Sequence, residues 1–207
     1  MTLVDALAAL VAMKAPVFHT RDAAARLGIA NAHASTILAR LAAARHLVRL
    51  RRQVWAFADG VDALALPEHL TFPFPSYVSL QSALYLHGMI SQVPALTYAV
   101  SLARTRRFTT PLGSVSVHHV GPAFFFGFDD NGHGGRLATS EKALVDFLYL
   151  GPARSRLFRA LPELELPRRF SVRAARAIVA RIGPARRRTF VSRRFEQLLE
   201  SVHRSVA

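Results

Sequence analysis

Residues 31–41 read NAHASTILARL. Ala34, Ile37, Leu38 and Leu41 recur at i, i+3, i+4 and i+7, the spacing of a helix with one buried face. The other face carries His33, Ser35, Thr36 and Arg40, with Ala32 and Ala39 between them. A solvated helix is usually covered in Glu and Lys. This face has small side chains, short hydrogen-bonding groups, one arginine and no acid. A helix that enters the major groove needs such a face, because phosphates on both sides of the groove repel carboxylates.

The flanking residues complete a pattern. Upstream, Leu3 to Met13 is predicted to be a helix that stops before Pro16. In FHTRDAAARLGI, residues 18–29, Thr20 is a suitable N-cap, and Asp22 suits the positive end of the helix dipole. Gly28 supplies a left-handed stop, and Asn31 can cap the next helix, over 32–44. Downstream, HLVRLRRQVWAF, residues 46–57, reads as two short strands around a basic turn. Helix, glycine turn, helix and basic hairpin together predict a winged helix-turn-helix that binds DNA.

Asn31, His33, Ser35, Thr36 and Arg40 are the candidates for reading bases. Thr20, Arg21, Arg45, Arg49, Arg51 and Arg52 are the candidates for the DNA backbone, with the hairpin arginines able to reach an adjacent minor groove. Helix-turn-helix patterns also occur in purely structural helical domains and in protein–protein modules, so the combination of helix, turn and basic hairpin carries the prediction and any one of the three alone is a weak signal.

Charge agrees with a polyanionic partner. The 207 residues hold 27 Lys and Arg against 13 Asp and Glu, a formal +14. Residues 1–60 carry 8 basic and 3 acidic side chains, 61–150 carry 5 and 6, and 151–207 carry 14 and 4. A polyanion site should therefore involve the ends of the chain. Arg186, Arg187, Arg188, Arg193 and Arg194 form a possible additional patch, for DNA or RNA; a solvated basic helix face explains them about as well. The preference for Arg over Lys is what GC-rich codons produce and is not functional evidence.

Cysteine is absent, which excludes disulfides and thiolate metal sites and suits a cytoplasmic protein. No apolar run reaches the ~18 residues of a membrane span, so no membrane partner is expected. The opening MTLVDALAALVAMK lacks a basic n-region and carries Asp5, unlike a signal peptide.

LPEHLTFPFPS, residues 66–76, has three prolines and no helical periodicity, and reads as a linker. It divides the chain near Glu68 into residues 1–68 and 69–207. In the second part, Ser79 to His87 is predicted helical with Gly88 as its stop. Strands are predicted in 95–103, 114–120 and 123–128, with a turn at 110–113 and a loop at 129–135. A helix capped by Thr139 follows, then two more at about 172–182 and 191–202, with Arg186, Arg187 and Arg188 preceding the last. The fold class is α+β, with a small sheet and terminal helices in the second domain.

Taken in order, the module at 18–57, YVSLQSALYLHG, TPLGSVSVHHV, FFFGF and ATSEKALVDFLYL resemble the AbiEi-type antitoxins of type IV toxin–antitoxin systems. The most telling residues are Ser79, Ser82, Ala83 and Leu84 with His87-Gly88, then Thr110-Pro111-Leu112-Gly113, then Ser140-Glu141-Lys142-Ala143-Leu144 with Asp146. The resemblance covers most of residues 1–150, and the tail fits by size and helical content only. It implies an N-terminal winged helix that represses the protein's own operon at inverted repeats. It also implies an antitoxin domain that counters a neighbouring nucleotidyltransferase-like toxin without forming a stable complex.

No enzyme is expected, nor a cofactor. His118 and His119 are adjacent on a predicted strand, so they face opposite ways, which is poor geometry for one metal. Asp129, Asp130 and His133 share a glycine-rich loop; a divalent ion there would make the chain a metal-dependent nucleic-acid-processing enzyme, the alternative function. Asp, Asn and Gly are also ordinary turn residues. FDDNGHGG lacks the Gly-Lys-Ser/Thr ending of a phosphate loop. Ser140 and Lys142 look like a Ser-x-Lys pair, but helix capping explains them better.

Overall fold

The structure, a computed structural model, describes residues 1–132, 134–151 and 164–206. Its described residues are α+β, with helices and two sheets. Helix α1, Leu3–Val11, opens on a capping box: Asp5 N–H donates to Thr2 Oγ1 at 3.1 Å, and Thr2 N–H donates to the Asp5 carboxylate at 2.8 Å. Strand β1, Val17–His19, leads directly into α2, Thr20–Leu27. Gly28, at φ 65°, turns the chain toward α3, Asn31–Ala43. Ala34, Ile37, Leu38 and Leu41 are the buried stripe of α3. Arg45, at φ 61°, ends it, with His46 N–H bonded back to Leu41 O at 3.0 Å. β2, Leu47–Arg51, and β3, Val54–Phe57, form an antiparallel hairpin, and β1 joins β3 on its other side. Ala6, Leu10, Phe18, Ala23, Leu38, Leu41, Leu47 and Trp55 fill the space between helices and strands.

Two capping expectations need correction. Thr20 is the first residue of α2 and not its cap; His19 precedes the helix, and its N–H donates to Asp22 Oδ2 at 2.8 Å. Asn31 likewise lies in the first turn of α3, behind Ala30.

The second sheet has strand order β6-β7-β5-β4-β9-β8. The strands are β4, Ser76–Val78; β5, Thr97–Ser101; β6, Arg106–Thr110; β7, Gly113–His119; β8, Phe128–Asp130; and β9, Arg136–Ala138. β5 with β7 and β4 with β9 are parallel; the other pairs are antiparallel. Helices α5, Leu80–Leu86, α6, Ser140–Leu150, α7, Val172–Ala180, and α8, Ala185–Val206, cover the sheet. Leu80, Leu84, Leu144, Phe147, Val179, Val191 and Phe195 share its core.

Several sequence readings change here. Residues 66–76 are only in part a linker: α4 occupies Leu66–Thr71 and Ser76 opens β4, which leaves a short turn at 72–75. A six-residue helix is too short to show periodicity, and Pro67 in its first turn is tolerated because that N–H has no intrahelical partner. α4 is buried through Leu66 and Leu70 against Leu50, Val54 and Ala56 of the hairpin and Ala99, Val115 and Val117 of the second sheet. One apolar cluster therefore joins the two halves. The apolar run 123–128 is not a strand; it begins in a 3-10 turn, Pro122–Phe124, and only Phe128 enters β8. Phe124 and Phe126 face the buried Lys142, and Phe125 and Phe128 pack on Tyr77, instead of alternating across a sheet. Finally, α8 begins at Ala185, so Arg186, Arg187 and Arg188 lie inside the helix.

Candidate nucleic-acid interface

The β1–α2 junction, the first turns of α3 and the β2–β3 hairpin face one another across a groove of about 770 Å³. Arg21, Asn31, Ser35, Arg49, Arg51 and Arg52 line it, together with His19, Gln53 and the Phe72-Pro73 turn, and no carboxylate does. Gln53, at φ 61°, makes the tight hairpin turn that sends Arg52 outward into solvent. The Arg49 guanidinium lies 5.6 Å from the centre of the Trp55 ring, so it is steered by the aromatic face and remains exposed.

The five base-reading candidates are all exposed on α3. They divide into two flanks. Asn31 and Ser35, one turn apart, line the groove. By helical spacing His33 and Arg40 fall on the far flank, with Ala32, Thr36 and Ala39 between. Thr36 Oγ1 donates to Ala32 O at 3.2 Å, which leaves its lone pairs and methyl group outward.

The backbone candidates separate too. Arg21, Arg45, Arg49 and Arg52 are exposed. Thr20 is not open to a phosphate: it is buried, and its hydroxyl accepts the Trp55 indole N–H at 3.0 Å. That bond ties the entry of α2 to the hairpin, so Thr20 sets the groove's shape. Arg51 is half-buried and donates from Nη2 to Phe72 O at 3.1 Å, bracing the hairpin on the turn after α4.

The tail arginines are a mixed group. Arg186, Arg193 and Arg194 are exposed. Arg187 donates to Tyr149 O and stacks over the Tyr149 ring at 5.0 Å, and Arg188 donates to Ile182 O at 2.9 Å. Those two therefore hold α8 against α6 and the end of α7. Asp129 and Asp130 are exposed neighbours on β8, and Asp130 Oδ1 accepts the Gly132 N–H at 2.8 Å as turn aspartates do. His133 lies outside the described residues. Among the described residues no three His, Cys, Asp or Glu side chains converge as a metal site. His118 is buried beside Ser116 Oγ at 3.1 Å, while His119 is exposed.

A polar cluster absent from the candidate sites lies in the second core. Lys142 and Asp146, one turn apart on α6, are fully buried and form an ion pair. Asp146 Oδ2 also accepts the Tyr77 hydroxyl at 2.9 Å and the Ser79 hydroxyl at 2.8 Å. The Lys142 ammonium faces the Phe124 ring at 3.9 Å, Phe126 at 5.1 Å and Tyr77 at 5.5 Å. Gly127, at φ 77°, passes directly over the lysine stem, where a Cβ would lie 3.1 Å from Lys142 Cγ. Burial pushes the Asp146 carboxyl up and the Lys142 ammonium down, and each partner opposes that shift in the other. Burial first, then the Asp146 charge, drive the Tyr77 hydroxyl well above its ordinary range. The i, i+4 spacing of Lys142 and Asp146 was visible in sequence, but that spacing is equally common on solvated helices.

Among the described residues, no helix is long and apolar enough to cross a membrane. No protein-family model and no curated protein matches the chain.

Proposed function

We propose that residues 1–68 form a winged helix-turn-helix that binds duplex DNA, and that the chain is a transcriptional repressor of its own promoter. The observation that carries this reading is the acid-free groove between α3 and the hairpin, lined by Arg21, Arg49, Arg51 and Arg52. On this reading α3 enters the major groove. Asn31 and Ser35 meet bases on the hairpin side, and His33, Thr36 and Arg40 meet bases or phosphates on the other. Arg49 and Arg52 form the wing and neutralise backbone phosphates. Phosphate contacts set register and base contacts set sequence choice.

The antitoxin role of residues 69–207 rests on the resemblance to AbiEi-type proteins. The proposed partners are operator DNA with inverted repeats and, functionally, a nucleotidyltransferase-like toxin. No geometric observation favours the alternative of a metal-dependent enzyme at Asp129 and Asp130.

The test is fluorescence anisotropy with the full chain on duplex DNA from upstream of its own gene and on a scrambled duplex, over a range of salt. Specific binding about 10³-fold or more tighter than to the scrambled duplex at physiological salt is expected. Equal and salt-labile binding to both duplexes would reduce the groove to a general polyanion patch.

A further inference from the structure

The groove has an apolar rim that comes from outside the three helices and hairpin. α4 ends in a turn, Thr71-Phe72-Pro73-Phe74, whose Phe72 and Pro73 line the groove beside the arginines. Phe72 is 54% exposed and Phe74 51% exposed, high for phenylalanines in a chain with a well-filled core. The turn is firmly held. The buried Thr71 hydroxyl sits between two carbonyl acceptors, Pro67 O at 2.9 Å and Phe74 O at 2.8 Å, and shares its one proton between them, while Phe74 N–H donates to Thr71 O at 3.0 Å. Phe72 O accepts Arg51 Nη2, and the Phe72 ring lies 5.8 Å from the His19 ring. A rigid aromatic edge thus stands in water at the margin of a strongly basic groove.

We infer that the Phe72-Pro73 turn is a DNA-contacting element outside the helix-turn-helix, an apolar wedge that packs on the deoxyribose and base edges flanking the segment read by α3. This rests on the DNA reading above. Charge complementarity selects the occupant: Arg21 is paired with Asp22 at 3.5 Å, but Arg49, Arg51 and Arg52 beside the wedge have no carboxylate in the groove wall. Phe and Pro are side chains that proteins press against sugars and base steps in the minor groove. The turn needs no ordering on binding, so little of the gain is lost to entropy. Because α4 is packed on both sheets, the wedge would also fix the orientation of residues 69–207 on the duplex.

Salt dependence separates this role from a phosphate contact. An apolar contact displaces no counterions, whereas each lost phosphate contact reduces the slope of log affinity against log salt by about 0.9. The experiment titrates the full chain and its Phe72→Ala, Phe72→Leu and Arg52→Ala variants on a duplex selected from a random pool by the unaltered protein. Thermal midpoints are measured alongside, and little change is expected for the exposed Phe72. Phe72→Ala should weaken binding about tenfold at every salt concentration with the slope unchanged. Phe72→Leu should recover most of the loss, and Arg52→Ala should flatten the slope. Unchanged affinity in Phe72→Ala overturns the wedge while leaving DNA binding intact. A flattened slope in Phe72→Ala also overturns it, because the Phe72 ring would then act by positioning the neighbouring arginines on phosphates and not as an apolar contact; its main-chain bond to Arg51 survives the change. Selection of no duplex by the unaltered protein overturns the DNA reading and the wedge together.

Discussion

The molecule handles charge in two opposite ways. In the N-terminal groove, Arg49 and Arg52 are exposed and no carboxylate lines the wall, while Arg21 at its edge pairs with Asp22. In the second core, Lys142 is sealed under three aromatic rings with its counter-ion, Asp146, on the same helix. The first arrangement leaves charge to be neutralised from outside, so it suits a polyanion. The second satisfies every strong demand internally: one carboxylate oxygen takes the ammonium, the other takes two hydroxyls. The lesson is that position, more than residue type, decides what a cation does. An exposed guanidinium in an acid-free wall is available for binding. A caged ammonium is a constraint on how α6 sits against β4 and the 122–128 turn.

The strongest test of this contrast is to break the buried pair. Lys142→Met leaves Asp146 buried without its counter-charge and should cost about 3–5 kcal/mol of unfolding free energy. Adding Asp146→Leu should recover much of that loss in urea denaturation. If the single change costs less than the double, the pair is not the lock described here. DNA binding per folded molecule should be the same in both variants.

Next in size is the open cluster. Arg49→Ala with Arg52→Ala should reduce the salt slope of DNA binding by about 2, from two lost phosphate contacts, and leave the urea midpoint nearly unchanged. A large fall in stability would show that these arginines are structural, like Lys142, and would erase the distinction. Ser35→Ala with Thr36→Ala should act on sequence choice instead. The discrimination between selected and scrambled duplexes should shrink by roughly 1–3 kcal/mol, with the slope preserved. Equal losses on both duplexes would refute the division between base and phosphate contacts.

The smallest effect concerns two histidines, one half-buried on α4 and one buried in the second sheet. Burial lowers His69 on α4 and His118 on β7 below the ordinary value of 6.5. A depressed folded value means the unfolded chain takes up the proton first. Stability is then full above pH 6.5 and declines as pH falls toward the lowered folded values. His118→Gln should shallow that decline in thermal melts between pH 7 and 5. An unchanged pH profile would show that His118 contributes nothing to it.

Much of the N-terminal half was legible because its signals are local. The α3 stripe, Gly28 and the basic hairpin each follow from a few neighbouring residues. The short strands β1, β4 and β9 were not, since three-residue strands carry too little pattern to separate from loops. α4 hid behind three prolines for the same reason of length. The phenylalanines of 123–128 misled because an apolar run fits a strand as well as an aromatic cage.

The sequence by itself determined the α+β class, the acid-free face of α3, the concentration of base toward both ends and the helix boundaries at Gly28, Gly88 and Thr139. These depend on periodicity, caps and charge, which act within one or two turns of chain. Tertiary structure alone decided that Thr20 would hold Trp55, that Arg51 would brace Phe72, and that Lys142 and Asp146 would meet Tyr77 and Ser79 from more than sixty residues away. Each of those contacts depends on which surfaces are excluded from water together. No local pattern encodes that, because burial is a property of the packed whole.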